Sequence, residues 1–306
     1  MDDPKRMTLI VGSLAVGLSA ILWGFDGVFL TPQLGGLDVV YVVFILHIVP
    51  FLLMNILFYK EYRQLRYMHR SDLLTFFLIS FFGGAIGTLA IVKALFLMNF
   101  NNLSVVVLLQ KLQPVFAIAL AAILLKEKLK QRYLLWASIA IVAGYFLTFG
   151  FSLPDFDSGE NTIHASLLAL LAAFSFGSST VFSKRILGNF NFVTSTFYRY
   201  GFTSLIMLLM MLMFGDFYSI VTTSQRQWFF ILLIGLTTGS GAIFLYYYGL
   251  RKIKAMTATI SELLFPVSAV VFDYLLNKNL LQPVQWVAAA LMVYAIIRLN
   301  SAPEKI

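Results

Sequence analysis

Asp26, Lys93, Lys111, Arg199, Glu262 and Asp273 all fall inside long apolar stretches of the sequence. An ionisable group at membrane depth is costly, so such residues mark substrate paths, proton relays or ion pairs. The bland alternative is a long side chain that snorkels to the surface. Lys111 has Gln110 and Gln113 beside it and precedes Pro114, which lacks a backbone donor and frees a carbonyl upstream. Counted from the start of its apolar run near Asn102, Lys111 lies roughly 13 Å deep at 1.5 Å per residue. A lysine there could bind a carboxylate or another anion, pair with Asp26, or cap freed carbonyls.

Glu262 lies roughly 10 Å from the opposite surface by the same rise, with Arg199 at similar depth. A Glu262–Arg199 pair is therefore expected. Gln110 and His47 fall at matching depth on the other side, and the two clusters are expected to form parts of two gates. His47 reads either as a hydrogen-bonded core residue or as a proton relay. Asp26 and Lys93 share the outer third and are expected to form an ion pair, with a proton or cation site as the alternative. Asp273 is expected to be solvated. Trp23 and the run Tyr246-Tyr247-Tyr248 lie near these polar positions. Consecutive helical residues point about 100° apart, so at most one or two of the three tyrosines can line a path.

Nothing here resembles an enzyme's constellation of nucleophile, metal and acid–base pair. There is no Cys, and His47, His69 and His164 form no metal-binding spacing. No Gly-rich phosphate loop is present, which argues against an ATP-driven pump. No cofactor is expected.

These residues need elements that carry them through a bilayer. Hydrophobic residues make up 60% of the chain and charged residues 12%, against about 45–50% and 25% in soluble domains. The net charge of +8 comes from residues between apolar runs rather than from a patch suited to nucleic acid. Spanning helices of about 20 residues are expected near 7–30, 37–59, 72–98, 102–125, 132–151, 163–187, 191–214, 226–250, 255–277 and 282–300. The first run is too long for the apolar core of a cleaved signal peptide. Of the 22 Lys and Arg residues, only Lys93, Lys111, Arg199, Arg226 and Lys278 fall outside the termini and the loops on one side. The opposite side carries Asp155, Asp157 and Glu160. The positive-inside rule then places both termini in the cytoplasm.

The chain is also written twice. Pro114 and Pro266 lie 152 positions apart, and the same offset carries Gly83 and Gly87 onto Gly235 and Gly239, and His47 onto Arg199. With a slip of one residue, Ala20 and Gly24 fall on Ala173 and Gly177. Each copy holds five expected spans. Five is odd, so the second copy enters from the other face, as in many secondary transporters. The expected fold is thus an all-α membrane protein of ten transmembrane helices in two inverted five-helix repeats, residues 1–152 and 153–306. The small-residue motifs are expected to pack spans 1, 3, 6 and 8 closely.

In span order and motif spacing the chain resembles the EamA-type branch of the drug/metabolite transporter superfamily over nearly its whole length. The likeness rests on Trp23-Gly24 in span one, Arg199 early in span seven, and the prolines of spans four and nine. Leu125-Lys126-Glu127-Lys128-Leu129, after span four, adds to it. The resemblance implies a central cavity lined by spans 1, 3, 4, 6, 8 and 9, alternating access, and small metabolites or amino acids as cargo, often exported. The chain departs from many such halves in having Gln113 and Phe265 directly before the prolines, and His47 at the basic position of span two.

The expectation is a secondary transporter that works by alternating access and exports amino acids or related small metabolites. Lys111, Gln110, Gln113, Trp23 and Tyr246 would bind substrate, with Lys111 on a carboxylate. Glu262, Arg199, Asp26, Lys93 and His47 would gate or couple, with proton coupling resting on Glu262 and Asp26. Pro114 and Pro266 would be hinges. A drug or organic-cation efflux carrier using Asp26 and the aromatics is the alternative, and a passive channel ranks below it. Such a protein is expected in a plasma membrane, the bacterial inner membrane, with no nucleic-acid partner; a monomer is compatible with the sequence, which does not fix the oligomeric state.

Overall fold

The structure is a computed structural model that describes residues 4–98, 106, 109–128, 130–153, 160–278 and 280–300. Asn102, Leu129, Asp155, Asp157 and Lys305, invoked above, lie outside the described residues. The chain is helical, with no strand among the described residues. Helix α1 (Pro4–Phe25) runs into a π-helical turn (Asp26–Leu30) and a 3₁₀ turn (Thr31–Leu34). After α2 (Val39–Leu57) comes an exposed 3₁₀ stretch, Tyr59–Tyr67. The third span is α3 (Arg70–Ile79), a π-helical segment (Ser80–Ile86) and α4 (Gly87–Leu97). Then follow α5 (Gln113–Leu124), α6 (Gln131–Phe149), α7 (Glu160–Ile186) and α8 (Phe192–Phe214). A short α9 (Tyr218–Thr222) precedes α10 (Gln225–Ile234), a π-helical turn (Gly235–Gly239) and α11 (Ser240–Lys252). The last elements are α12 (Ala255–Ser261), α13 (Leu264–Asn277) and α14 (Pro283–Asn300).

Eight of these helical runs are long and apolar enough to cross a membrane. The expected spans 102–125 and 282–300 correspond to shorter apolar helices, Gln113–Leu124 and Pro283–Leu299. The first span extends four residues beyond its expected end, to Leu34. Polar side chains start the helices where the apolar runs begin. Asp38 accepts from the Tyr41 N–H at 2.9 Å, Asn191 accepts from the Thr194 N–H at 2.8 Å, and Ser224 forms a capping box with Gln227.

Burial is inverted relative to a soluble protein. Ile56, Leu57, Leu167, Met213 and Val287 face outward, as a lipid-facing surface requires. Ala20, Ala172, Ala173, Ser175 and Ser183 are wholly buried, since small residues let helix backbones approach. Helix α1 packs on α11 and α13, and α7 packs on α4 and α5. Helix α2 packs on α8, and α6 packs on α14.

The duplicated glycines sit in or beside π-helical turns, where the regular ladder loosens. In each copy a hydroxyl five residues on closes the loosened carbonyl: Thr88 donates to Gly83 O at 3.1 Å and Ser240 to Gly235 O at 2.7 Å. The glycines also admit neighbours. A Cβ at Gly83 would lie 2.2 Å from Ser179 Oγ, one at Gly87 2.9 Å from the Phe176 ring, and one at Gly235 3.1 Å from Pro50.

Candidate functional site

The two expected hinge prolines break their helices in the same way. Lys111 and Leu112 form a turn before α5, and Glu262 and Leu263 form a turn before α13. Leu112 has φ −76° and ψ −6°, and Leu263 has φ −66° and ψ −4°. In each a tighter bond replaces part of the ladder that the proline interrupts: Val115 N–H to Leu112 O, and Phe265 N–H to Glu262 O, both 2.9 Å. Both runs also end on a residue in the left-handed region, Lys126 and Lys278.

At the second break Glu262 is half-buried, about a third of the way along its span. Its Oε1 accepts from the Tyr246 hydroxyl at 2.6 Å, and its Oε2 accepts from the Gln113 side-chain amide at 2.5 Å. The phenol proton goes to Glu262, so Thr180, 2.8 Å away, is the donor to Tyr246 Oη. The Trp23 ring lies 5.5 Å from the Tyr246 ring. Beside this group, Arg199 Nη1 donates to Tyr247 Oη at 3.1 Å, and Ser183 shares a 2.7 Å bond with the same phenol. Arg199 is only 8% exposed, and its guanidinium stands 5.6 Å from the Tyr247 ring centre. Gly83 leaves it room: a Cβ there would sit 3.2 Å from Nη2. Ser80 in turn fixes the Arg199 carbonyl with a 3.0 Å bond.

Trp23, Gln113, Tyr246 and Glu262 therefore come together, from α1, α5, α11 and the break before α13. Several expected pairings do not form. The carboxylate of Glu262 is held by Tyr246 and Gln113, while Arg199 is bonded to Tyr247. Asp26 accepts from Thr31 at 3.1 Å, and Lys93 is exposed, so these two are not an ion pair. Lys111 is buried, and its ammonium donates to Gly144 O at 3.1 Å and to Thr148. Lys111 thus neither pairs with Asp26 nor caps a carbonyl freed by Pro114; it bonds into α6. Gln110 is half-buried one turn before Gln113. His47 is buried, with Nδ1 2.8 Å from Val43 O and its ring 5.4 Å from Tyr200. A carbonyl can only accept, so Nδ1 carries the proton. Asp273 is half-buried and accepts from Asn277 at 2.7 Å.

Thr180, Ser183 and Thr148 were not singled out from the sequence, and Tyr247 was named only within its tyrosine run. The hydroxyl run Ser178, Ser179, Thr180 and Ser183 inside an apolar span was the signal available.

The sequence profile of the EamA-like transporter family matches this chain twice, over residues 10–150 and 164–301. The chain belongs to the EamA-like transporter family. It is a multi-pass membrane transporter and not an enzyme. It is 54% identical over 292 residues to a protein named riboflavin transporter ImpX, from Fusobacterium nucleatum subsp. nucleatum. That match spans 95% of this chain and 98% of the relative. A solved crystal structure, 16% identical, shares the fold with a TM-score of 0.66, covering 94% of this chain and 95% of the other.

Each family match in this EamA-like transporter contains one of two equivalent glycine contacts. A Cβ at Gly24 would lie 2.9 Å from both Phe265 O and Ala269 N, and one at Gly177 would lie 3.0 Å from both Gln113 O and Ala117 N. Each glycine thus presses on the carbonyl just before the proline of the other half. Trp23 reaches Tyr246 because Gly24 lets α1 approach the second break this closely.

Proposed function

We propose that this EamA-like transporter carries riboflavin, or a close flavin relative, by alternating access. In this reading its ten spans form two inverted five-helix repeats, residues 1–152 and 153–306, in a plasma membrane with both termini cytoplasmic. Matched features of the halves support the repeat: the proline breaks, the left-handed Lys126 and Lys278, the hydroxyl-closed π turns, and the reciprocal glycine contacts. Discontinuous helices meeting at mid-membrane are where such carriers bind their cargo.

The observation that carries the substrate is the Trp23–Tyr246–Glu262–Gln113 cluster. It sets aromatic faces beside a hydrogen-bonding pair contributed by both halves, and Trp23, Gln113 and Glu262 are only half-buried. Isoalloxazine is planar, aromatic and polar at one edge, which suits that pairing. The name of the 54%-identical relative points the same way. The amino-acid cargo expected from the sequence is less favoured, because its carboxylate ligand, Lys111, is engaged with Gly144 and Thr148.

The test is counterflow. Liposomes holding the purified protein and loaded with riboflavin should transiently accumulate labelled riboflavin from outside, in a saturable way. Linear flux without trans-stimulation would point to a channel. Counterflow of amino acids with none of riboflavin would restore the amino-acid carrier. Repeating the assay with an imposed pH gradient reports whether protons are coupled.

A further inference from the structure

We propose that Gln113 and Glu262 together read the imide edge of the isoalloxazine ring, with Trp23 against the ring face. The inference rests on the riboflavin reading above. The Glu262 carboxylate is anchored on one side by the hydroxyl of Tyr246, which is 3% exposed and is itself held by Thr180. An ionised carboxylate offers about four acceptor positions, so Tyr246 and Gln113, with Thr180 beside them, leave capacity for a ligand. Gln113 uses one amide N–H on Glu262. Its second N–H and its Oε1 make no hydrogen bond among the described residues. The half-buried side of the pair thus presents an acceptor next to a donor.

The complementary ligand edge is an N–H next to a carbonyl. A cyclic imide has that arrangement in either direction, with carbonyls on both sides of one N–H. The N3–H of isoalloxazine would donate to Glu262, and one flanking carbonyl would accept from Gln113. Because the two side chains come from opposite halves, a ligand seated here touches both at once. A pocket that hydrogen-bonds a substrate N–H rejects analogues lacking it far more strongly than it senses an added methylene.

The experiment uses purified wild-type protein, with riboflavin and N3-methylriboflavin, in which a methyl replaces the imide hydrogen. Binding is read by quenching of flavin fluorescence. Loss of one hydrogen bond to a charged group weakens binding about 10-fold or more, and N3-methylriboflavin is expected to bind weaker than riboflavin by at least that ratio. In Glu262→Gln, riboflavin is expected to weaken while N3-methylriboflavin holds, so the ratio narrows toward one, with thermal unfolding as the control for folding. If riboflavin and its N3-methyl form bind the wild type equally, the imide assignment is overturned and the riboflavin reading stands. If folded wild-type protein binds neither, the riboflavin reading falls and takes this inference with it.

Discussion

The break at Lys111–Pro114 and the break at Glu262–Pro266 share a backbone and differ in chemistry. In both, two residues of turn precede a helix with proline near its start, and a glycine from the other half presses on the carbonyl before the proline. At the first break Lys111 is bonded into α6 through Gly144 and Thr148. At the second, Glu262 gathers residues from α5, α7 and α11 around it. A duplicated frame therefore holds one charge bonded to a neighbouring helix and one bonded across the two halves, the latter being the site charge of the proposed reading. The depth of a charge does not tell the two apart. The rotation of its helix does.

Two pairs of substitutions and one single substitution break or sharpen this contrast. The largest effect is expected at the centre. Glu262→Ala removes the acceptor for Tyr246 and Gln113 and should lower riboflavin counterflow about 100-fold, the scale of two hydrogen bonds to a charged group. Gln110→Ala, at the repeat-equivalent position, should stay within about threefold, less than one such bond. Equal losses would mean that both breaks bind substrate. Next come the glycines. Gly24→Ala drives a Cβ to within 2.1 Å of Ser268 Oγ and 2.9 Å of two backbone atoms, whereas Gly177→Ala meets its neighbours no closer than 3.0 Å. Overpacking costs about 1–3 kcal/mol, so Gly24→Ala should lower the apparent Tm more than Gly177→Ala. The reverse order would show that the two contacts are not built as described. The smallest effect is expected for Lys111→Met. Thr148 already donates to Gly144 O at 2.9 Å, so the uncharged side chain leaves that carbonyl satisfied. Riboflavin affinity should stay within about twofold, since no bond to the ligand is removed. A 10-fold loss would return Lys111 to the substrate path.

Some of this was legible in the sequence. The residues that crowd together across the two halves, Gly24, Gly177, Pro114 and Pro266, stood out by type and spacing. Glycine and proline act through the backbone, so their consequences are local. Trp23, Tyr246, Gln113 and Glu262 were each singled out, but their mutual contact was not visible. The expected Glu262–Arg199 and Asp26–Lys93 pairs came from matching depths alone. Each member of the first pair bonds its own tyrosine, Glu262 to Tyr246 and Arg199 to Tyr247, and Lys93 faces outward. Thr180 and Ser183 were passed over because a hydroxyl in an apolar helix usually satisfies itself on its own backbone, as Ser178 does with Phe174 O.

By itself the sequence determined the membrane class, the duplication and the places where helices break. Hydropathy, small-residue spacing and proline are properties of the chain read along its length. The partner of each buried charge was decided only in the tertiary structure. Gln113 meets Glu262 across 149 positions and Thr180 meets Tyr246 across 66. Such meetings depend on how each helix is rotated about its axis and how closely it approaches its neighbour. Those two quantities are set by packing at residues such as Gly24 and Gly83, which carry no charge of their own.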